Sequence, residues 1–138
     1  MKLEMRFAAC IFKRSSENRQ WGTGTRLWLD TQLKHMTIKS DQIVGYDHEV
    51  ATHLEVAGAV AENRADVGLG VEAAVLAYGL DFVLLTTEQY DLVIPSEIWD
   101  LQEIQVLVEW MASDEAKTMI ANLGGYDTTQ TGSVEWIE

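Results

Sequence analysis

The segment THLEVAGAVAENRADVGLGVEAAVLAYG, Thr52 to Gly79, decides how this chain folds. Leu54, Ala57 and Ala61, with Val60 one helical step over, recur on one face of a helix, and Glu55 and Glu62 fall outside that face. Thr52 stands where an N-cap is needed. ADVGLG then reads as a short buried strand ending in glycine, and VEAAVLAYG as a second helix closed by Gly79, a residue suited to the left-handed position that follows a helix. Helix, strand and helix in close succession form the repeating unit of an α/β fold.

Toward the N-terminus, IVGYD reads as a short strand, and Thr25 to about Met36 is helical, with Leu27, Trp28, Leu29 and Leu33 as its apolar positions. FAACIF is a short apolar run of strand composition, followed by polar residues through Gln20 before the glycine turn. On the other side, FVLLTT and YDLVIP read as two buried strands, the second stopped by Pro95, the only proline. Trp99 to Leu123 is helical with a break at Ser113, where SDEA provides an N-cap followed by acids, and Gly124 and Gly125 end it. Alternation of this kind predicts a mostly parallel sheet flanked by helices, with right-handed crossovers.

With 138 residues, 47% of them hydrophobic, the chain is expected to form one domain over residues 1–138. Ten Lys and Arg against 22 Asp and Glu give a net charge of -12, which argues against nucleic-acid partners or an anionic membrane surface. Any anionic ligand must therefore be held by local groups. Cys10 is the single cysteine, expected as a buried thiol. The opening MKLEMRFAACIF is too short and too charged for a signal peptide, and no run approaches a membrane span, so no membrane insertion and a cytoplasmic location are expected.

The stretch with chemistry in it is NRQWGTGTR, Asn18 to Arg26, at the mouth of the first helix. Gly22 and Gly24 allow close approach to the main chain, and a loop that opens a helix directs unpaired N–H groups and the positive end of the helix dipole at one point. Thr23 and Thr25 add hydroxyls, and Arg19 and Arg26 add charge. A capped entry turn is the plainer reading of the loop taken alone. It is neither a Walker loop, lacking Gly-Lys-Ser/Thr, nor a dinucleotide fingerprint, because Leu27 occupies the third glycine position.

His35, His48 and His53 fall in no zinc-type spacing, and Asp47 and Glu49 beside His48 read as a solvated acidic turn. Trp28, Trp99, Trp110 and Trp136 read as core or interface aromatics, and Arg64 and Asp66 as a turn between helix and strand. No Ser/His/Asp order or Gly-x-Ser-x-Gly elbow is present, so neither catalysis nor a cofactor is expected.

NRQWGTGTR, the stretch from Thr52 through YDLVIP, and LGGYDTTQTG occur in an order that resembles the periplasmic-binding-protein-like domain of molybdate-related proteins. That family is found fused to molybdopterin-biosynthesis proteins or helix-turn-helix regulators, and is similar to the substrate-binding components of molybdate and tungstate transporters. The resemblance runs from Asn18 to Gly132. It implies the second of two α/β lobes that enclose a ligand, together with the segment crossing back, the first lobe having no counterpart before Asn18. Thr23 stands where serine is usual, and Trp21 is bulkier than the usual residue. The resemblance also places Thr52 and His53 at a second helix start, Gly70, Val71 and Glu72 after a strand end, and Tyr90 on the returning segment, all toward one cleft. It thus implies a non-enzymatic binder of a small oxyanion, molybdate or tungstate, acting as a substrate-binding or sensor domain. One wall excludes water poorly, so a homodimer or a partner chain is expected to supply the other, meeting the YDLVIP segment. The competing expectation is an interaction or dimerisation module without a ligand.

Overall fold

The structure, a computed structural model, describes residues 2–10 and 15–137, with side chains from Ser15 onward. Ile11, Phe12 and the Cys10 thiol, parts of the FAACIF expectation, lie outside what it describes. The chain forms two compact units, Phe7–Thr86 and Thr87–Glu138 with Met1–Arg6.

The first unit holds strands β1 (Lys2–Cys10, in part), β2 (Ser16–Arg19), β3 (Glu49–Val50) and β4 (Val67–Val71), and helices α1 (Gly24–His35), α2 (His53–Ala61) and α3 (Glu72–Ala77). Strand β2 lies between β3 and β4 and runs parallel to both, in register Asn18↔Glu49 and Glu17↔Gly68. β1 closes the far side of β4 in antiparallel pairing, Phe7↔Val71 to Cys10↔Gly68. The expected parallel sheet flanked by helices is present, with an antiparallel strand added.

The core is built from small side chains: Val56, Ala57 and Ala59 of α2, Leu69 and Val71 of β4, Ala74 and Val75 of α3, and Leu33 of α1. Because α2 packs on β4 and β2 with one flank and on α3 with another, its four consecutive residues Val56–Ala59 are buried. The face expected from periodicity is therefore displaced, and Leu54 is exposed. The close approach depends on Gly68, where a Cβ would lie 2.2 Å from Val56 Cγ1.

Two strand expectations are corrected. SENR, given no element from its sequence, is β2: Asn18 is buried with its Nδ2 donating to the Tyr46 carbonyl at 2.6 Å, and Asp66 accepts from the Ser15 N–H at 2.9 Å. Polar side chains with partners inside the fold hide a strand from hydropathy. IVGYD is not a strand; a 3-10 turn at Ser40–Gln42 leads through Gly45, at φ +82, to β3 at Glu49.

The second unit contains strand β5 (Val83–Asp91, shared with the first), helices α4 (Gln102–Ala112) and α5 (Asp114–Ala121), and strand β6 (Tyr126–Asp127), which pairs antiparallel with Glu4 and Met5 of β1. FVLLTT and YDLVIP thus merge into one strand that stops before Leu92, and its side chains are mostly exposed rather than buried. Ser113 forms the expected joint, its Oγ accepting from the Ala116 N–H at 3.2 Å. Buried residues are sparse here: Ala116 and Thr131, with Trp99 and Trp136 in edge-to-face contact at 5.0 Å. Among the described residues no helix is long and apolar enough to cross a membrane.

Candidate functional site

Connections decide where this fold opens. From β2 the chain passes through α1 to β3 on one side, and from β3 it returns through α2 across β2 to β4. Right-handed connections in opposite directions put α1 and α2 on opposite faces. Adjacent strands whose exits part in this way leave a crevice beyond their carboxyl ends. The ends of β2, β3 and β4, and the starts of α1, α2 and α3, therefore share one edge. Arg19, the Gly22–Thr25 turn, Thr52, His53, Gly70 and Glu72 all belong to it.

At the turn, Gly22 takes φ +87, and Thr23 caps α1, accepting from the Arg26 N–H at 3.4 Å and donating its hydroxyl to the Gln20 carbonyl at 3.0 Å. The N–H groups of Trp21 and Thr23 are already engaged, with Glu49 Oε2 and the Gln20 carbonyl, each at 3.4 Å. Those of Gly22, Gly24 and Thr25 make no hydrogen bond among the described residues. Thr25 is buried and Trp21 is exposed.

The two arginines of the loop differ in employment. Arg26 is 3% exposed, and its guanidinium lies 4.1 Å over the Tyr46 ring. It donates at 3.3 Å to both Asp30 and Glu49 and at 3.4 Å to the Arg19 carbonyl. Burial opposes its charge, but Tyr46 and Asp30 together hold its pKa above the ordinary value. Tyr46 in turn donates its hydroxyl to Asp30, and burial followed by that bond raises the phenol. Arg26 is therefore a tie between α1 and β3, with its donors turned inward.

Arg19 ends β2 on the face that α2 covers: Glu17 pairs with Gly68, whose missing Cβ faces Val56, and Arg19 follows two residues on. Its Nε is buried and has no hydrogen-bond partner among the described residues. Its charge is felt by the start of α2. His53, which sits against Gly70 at 3.7 Å from the site of a Cβ, has its pKa lowered to about 4, by burial first and by Arg19 second. Thr52 and Glu55 form a capping box, Glu55 accepting from the Thr52 N–H at 2.8 Å and Thr52 Oγ1 from the Glu55 N–H at 3.1 Å. The Thr52 N–H first, and then the Thr52 hydroxyl, which also donates to Glu55 at 3.1 Å, lower the Glu55 pKa. Glu72 is buried at the start of α3.

The edge thus brings together most of the residues expected from sequence, with Arg26 held away by its ion pairs. Tyr90 belongs to the second unit and is exposed. Glu49, Asp30 and Tyr46 were not anticipated. Asp30 is one helical turn from Arg26 and legible as an i,i+4 pair, whereas Glu49 arrives only through the β2–β3 pairing. Among the described residues no group of three or more His, Cys, Asp and Glu could hold a metal.

Parallel strand ends meeting helix starts along one edge are the arrangement at which open α/β sheets take ligands. A family model described as PBP superfamily domain matches residues 13–112, and the chain belongs to that superfamily of periplasmic-binding-protein-like domains, which are typically binding modules. It is 34% identical over 117 residues to the uncharacterized protein YvgK of Bacillus subtilis (strain 168), a match covering 85% of this chain and 37% of YvgK. It is 36% identical over 107 residues to an uncharacterized protein in the 5′ region of a ferredoxin 2Fe-2S gene of Clostridium pasteurianum, covering 77% of this chain and 95% of that protein. The chain therefore spans little more than a third of the longer relative. No solved structure matches it significantly.

Proposed function

We propose that the protein is a non-enzymatic binder of a small oxyanion, taken at the strand-end edge of the first unit. The observation that carries this reading is Arg19: a guanidinium at the end of the central parallel strand, its Nε buried without a hydrogen-bond partner among the described residues. Two carboxylates of the neighbouring elements are occupied elsewhere: Glu55, which feels the Arg19 charge, with Thr52, and Glu49 with Arg26 and the Trp21 N–H. A chain of net charge -12 can hold an anion only where a cation is left over, and this cation is left over. The unpaired N–H groups of Gly22, Gly24 and Thr25, at the start of α1, supply further donors. Molybdate or tungstate is the ligand that the family resemblance favours, and membership in the PBP superfamily supports a binding role.

Titration calorimetry with molybdate, tungstate, sulfate and phosphate tests the reading. Saturable heat is expected with at least one of them, and Arg19→Gln should weaken it at least about tenfold by removing a charge-assisted donor. Absence of heat with all four anions would overturn the assignment. Affinity unchanged by Arg19→Gln would remove Arg19 from the site.

A further inference from the structure

The second unit presents a groove of about 260 Å³ between Leu92–Ile94, which follow β5, and Glu135–Ile137. Its apolar side chains face solvent: Val93 is 77% exposed and Ile137 88%. The N–H groups of Val93, Ile94, Trp136 and Ile137 make no hydrogen bond among the described residues, so both walls carry open backbone. An apolar surface that carries open main-chain N–H groups is suited to strand addition, in which an incoming chain gains backbone bonds and seats alternate side chains.

Charge decides the occupant. Residues 87–138 carry eleven Asp and Glu against the single Lys117, which is ten of the chain's twelve net negative charges, and Asp91 and Glu135 line the groove itself. A second copy would bring the same negative field against this one, and juxtaposed like charges oppose docking. We propose that the groove receives an extended segment of a partner chain in which apolar residues alternate with Lys or Arg. Apolar side chains enter the groove, basic ones meet the negative field of its surroundings, and the open N–H groups pair with the incoming carbonyls. The proposal is independent of anion binding, since every residue it uses lies in the second unit.

The test uses the whole chain and a short capped peptide alternating Lys with Val and Ile, followed by tryptophan fluorescence and by amide shifts. Saturable binding is expected, with shifts confined to residues 91–97 and 133–137 and an affinity that falls as salt rises. A peptide alternating Lys with Ser, and the variants Val93→Asp and Ile137→Asp, should each bind about tenfold more weakly, because an apolar anchor is lost. Both variants replace exposed side chains, and the wild-type shift map stands apart from their folding. Equal affinity for the Lys/Ser peptide, or shifts lying outside the groove, would overturn the proposal. So would sedimentation showing that the chain alone self-associates and that Val93→Asp abolishes the association, since a second copy would then be the occupant.

Discussion

Arg19 and Arg26 stand seven residues apart and do opposite work. Arg26, between Asp30 and Glu49 and under Tyr46, joins α1 to β3. Replacement by Met leaves two half-exposed carboxylates without their cation, and urea denaturation should register a loss of about 2 kcal/mol. Anion affinity per folded molecule should fall as well, because the Glu49 carboxylate released from Arg26 then competes with the anion for Arg19. At Gly22, φ is +87 and a Cβ would meet nothing within 4 Å, so Gly22→Ala isolates backbone strain from crowding. A loss of about 1 kcal/mol in thermal or urea unfolding is expected. Residue types alone could nominate both arginines for a ligand. Which of them is available depends on Glu49, a residue that pairing of β2 with β3 brings alongside.

At the scale of elements, α2 on β4 is the contact that shapes the edge. Gly68→Ala drives a Cβ into Val56 Cγ1, with 2.2 Å between them in the native geometry, and should destabilise by about 1–3 kcal/mol. Combining it with Val56→Ala should recover part of that loss, a coupling measurable by a double-mutant cycle in urea. Thr52→Ala removes half of a capping box and should cost about 1 kcal/mol, read as a lower urea midpoint at unchanged slope. α1, α2, β4 and α3 were legible because caps and a terminal glycine mark their ends: Thr23, Thr52 and Gly79 at φ +64. β2 escaped notice because its buried residues are Glu17 and Asn18, and their burial depends on partners distant in sequence. α2 shows the complementary failure, since periodicity assumes one covered face and this helix is covered on two.

For the molecule as a whole, His53 links the edge to stability. Its folded pKa, about 4, lies below the unfolded value near 6.5, held down by burial and by Arg19, with Glu55 the nearby acid that Arg19 also influences. Above pH 6.5 both states are neutral there and nothing is gained or lost. Between pH 6.5 and 4 the unfolded chain takes up a proton that the folded chain refuses, so stability falls with pH, by on the order of 2 kcal/mol after allowance for partial exposure. His53→Gln should flatten the stability profile in that window, measured by urea unfolding at stepped pH. Only the upper part of the window, above about pH 5.5, lies clear of the range in which ordinary carboxylates titrate, and there the slope belongs to the histidine.

Local sequence determined the order of α1, α2, β4 and α3, the capped turn at Gly22–Thr25 and the α/β class, because caps, glycines and apolar spacing act within a few residues of themselves. Tertiary structure decided which arginine is free, which face of α2 is buried and that Val93 and Ile94 lie open. Each of those outcomes turns on the satisfaction or exposure of a group by residues remote along the chain, and long-range pairing is settled only when the strands have found their neighbours.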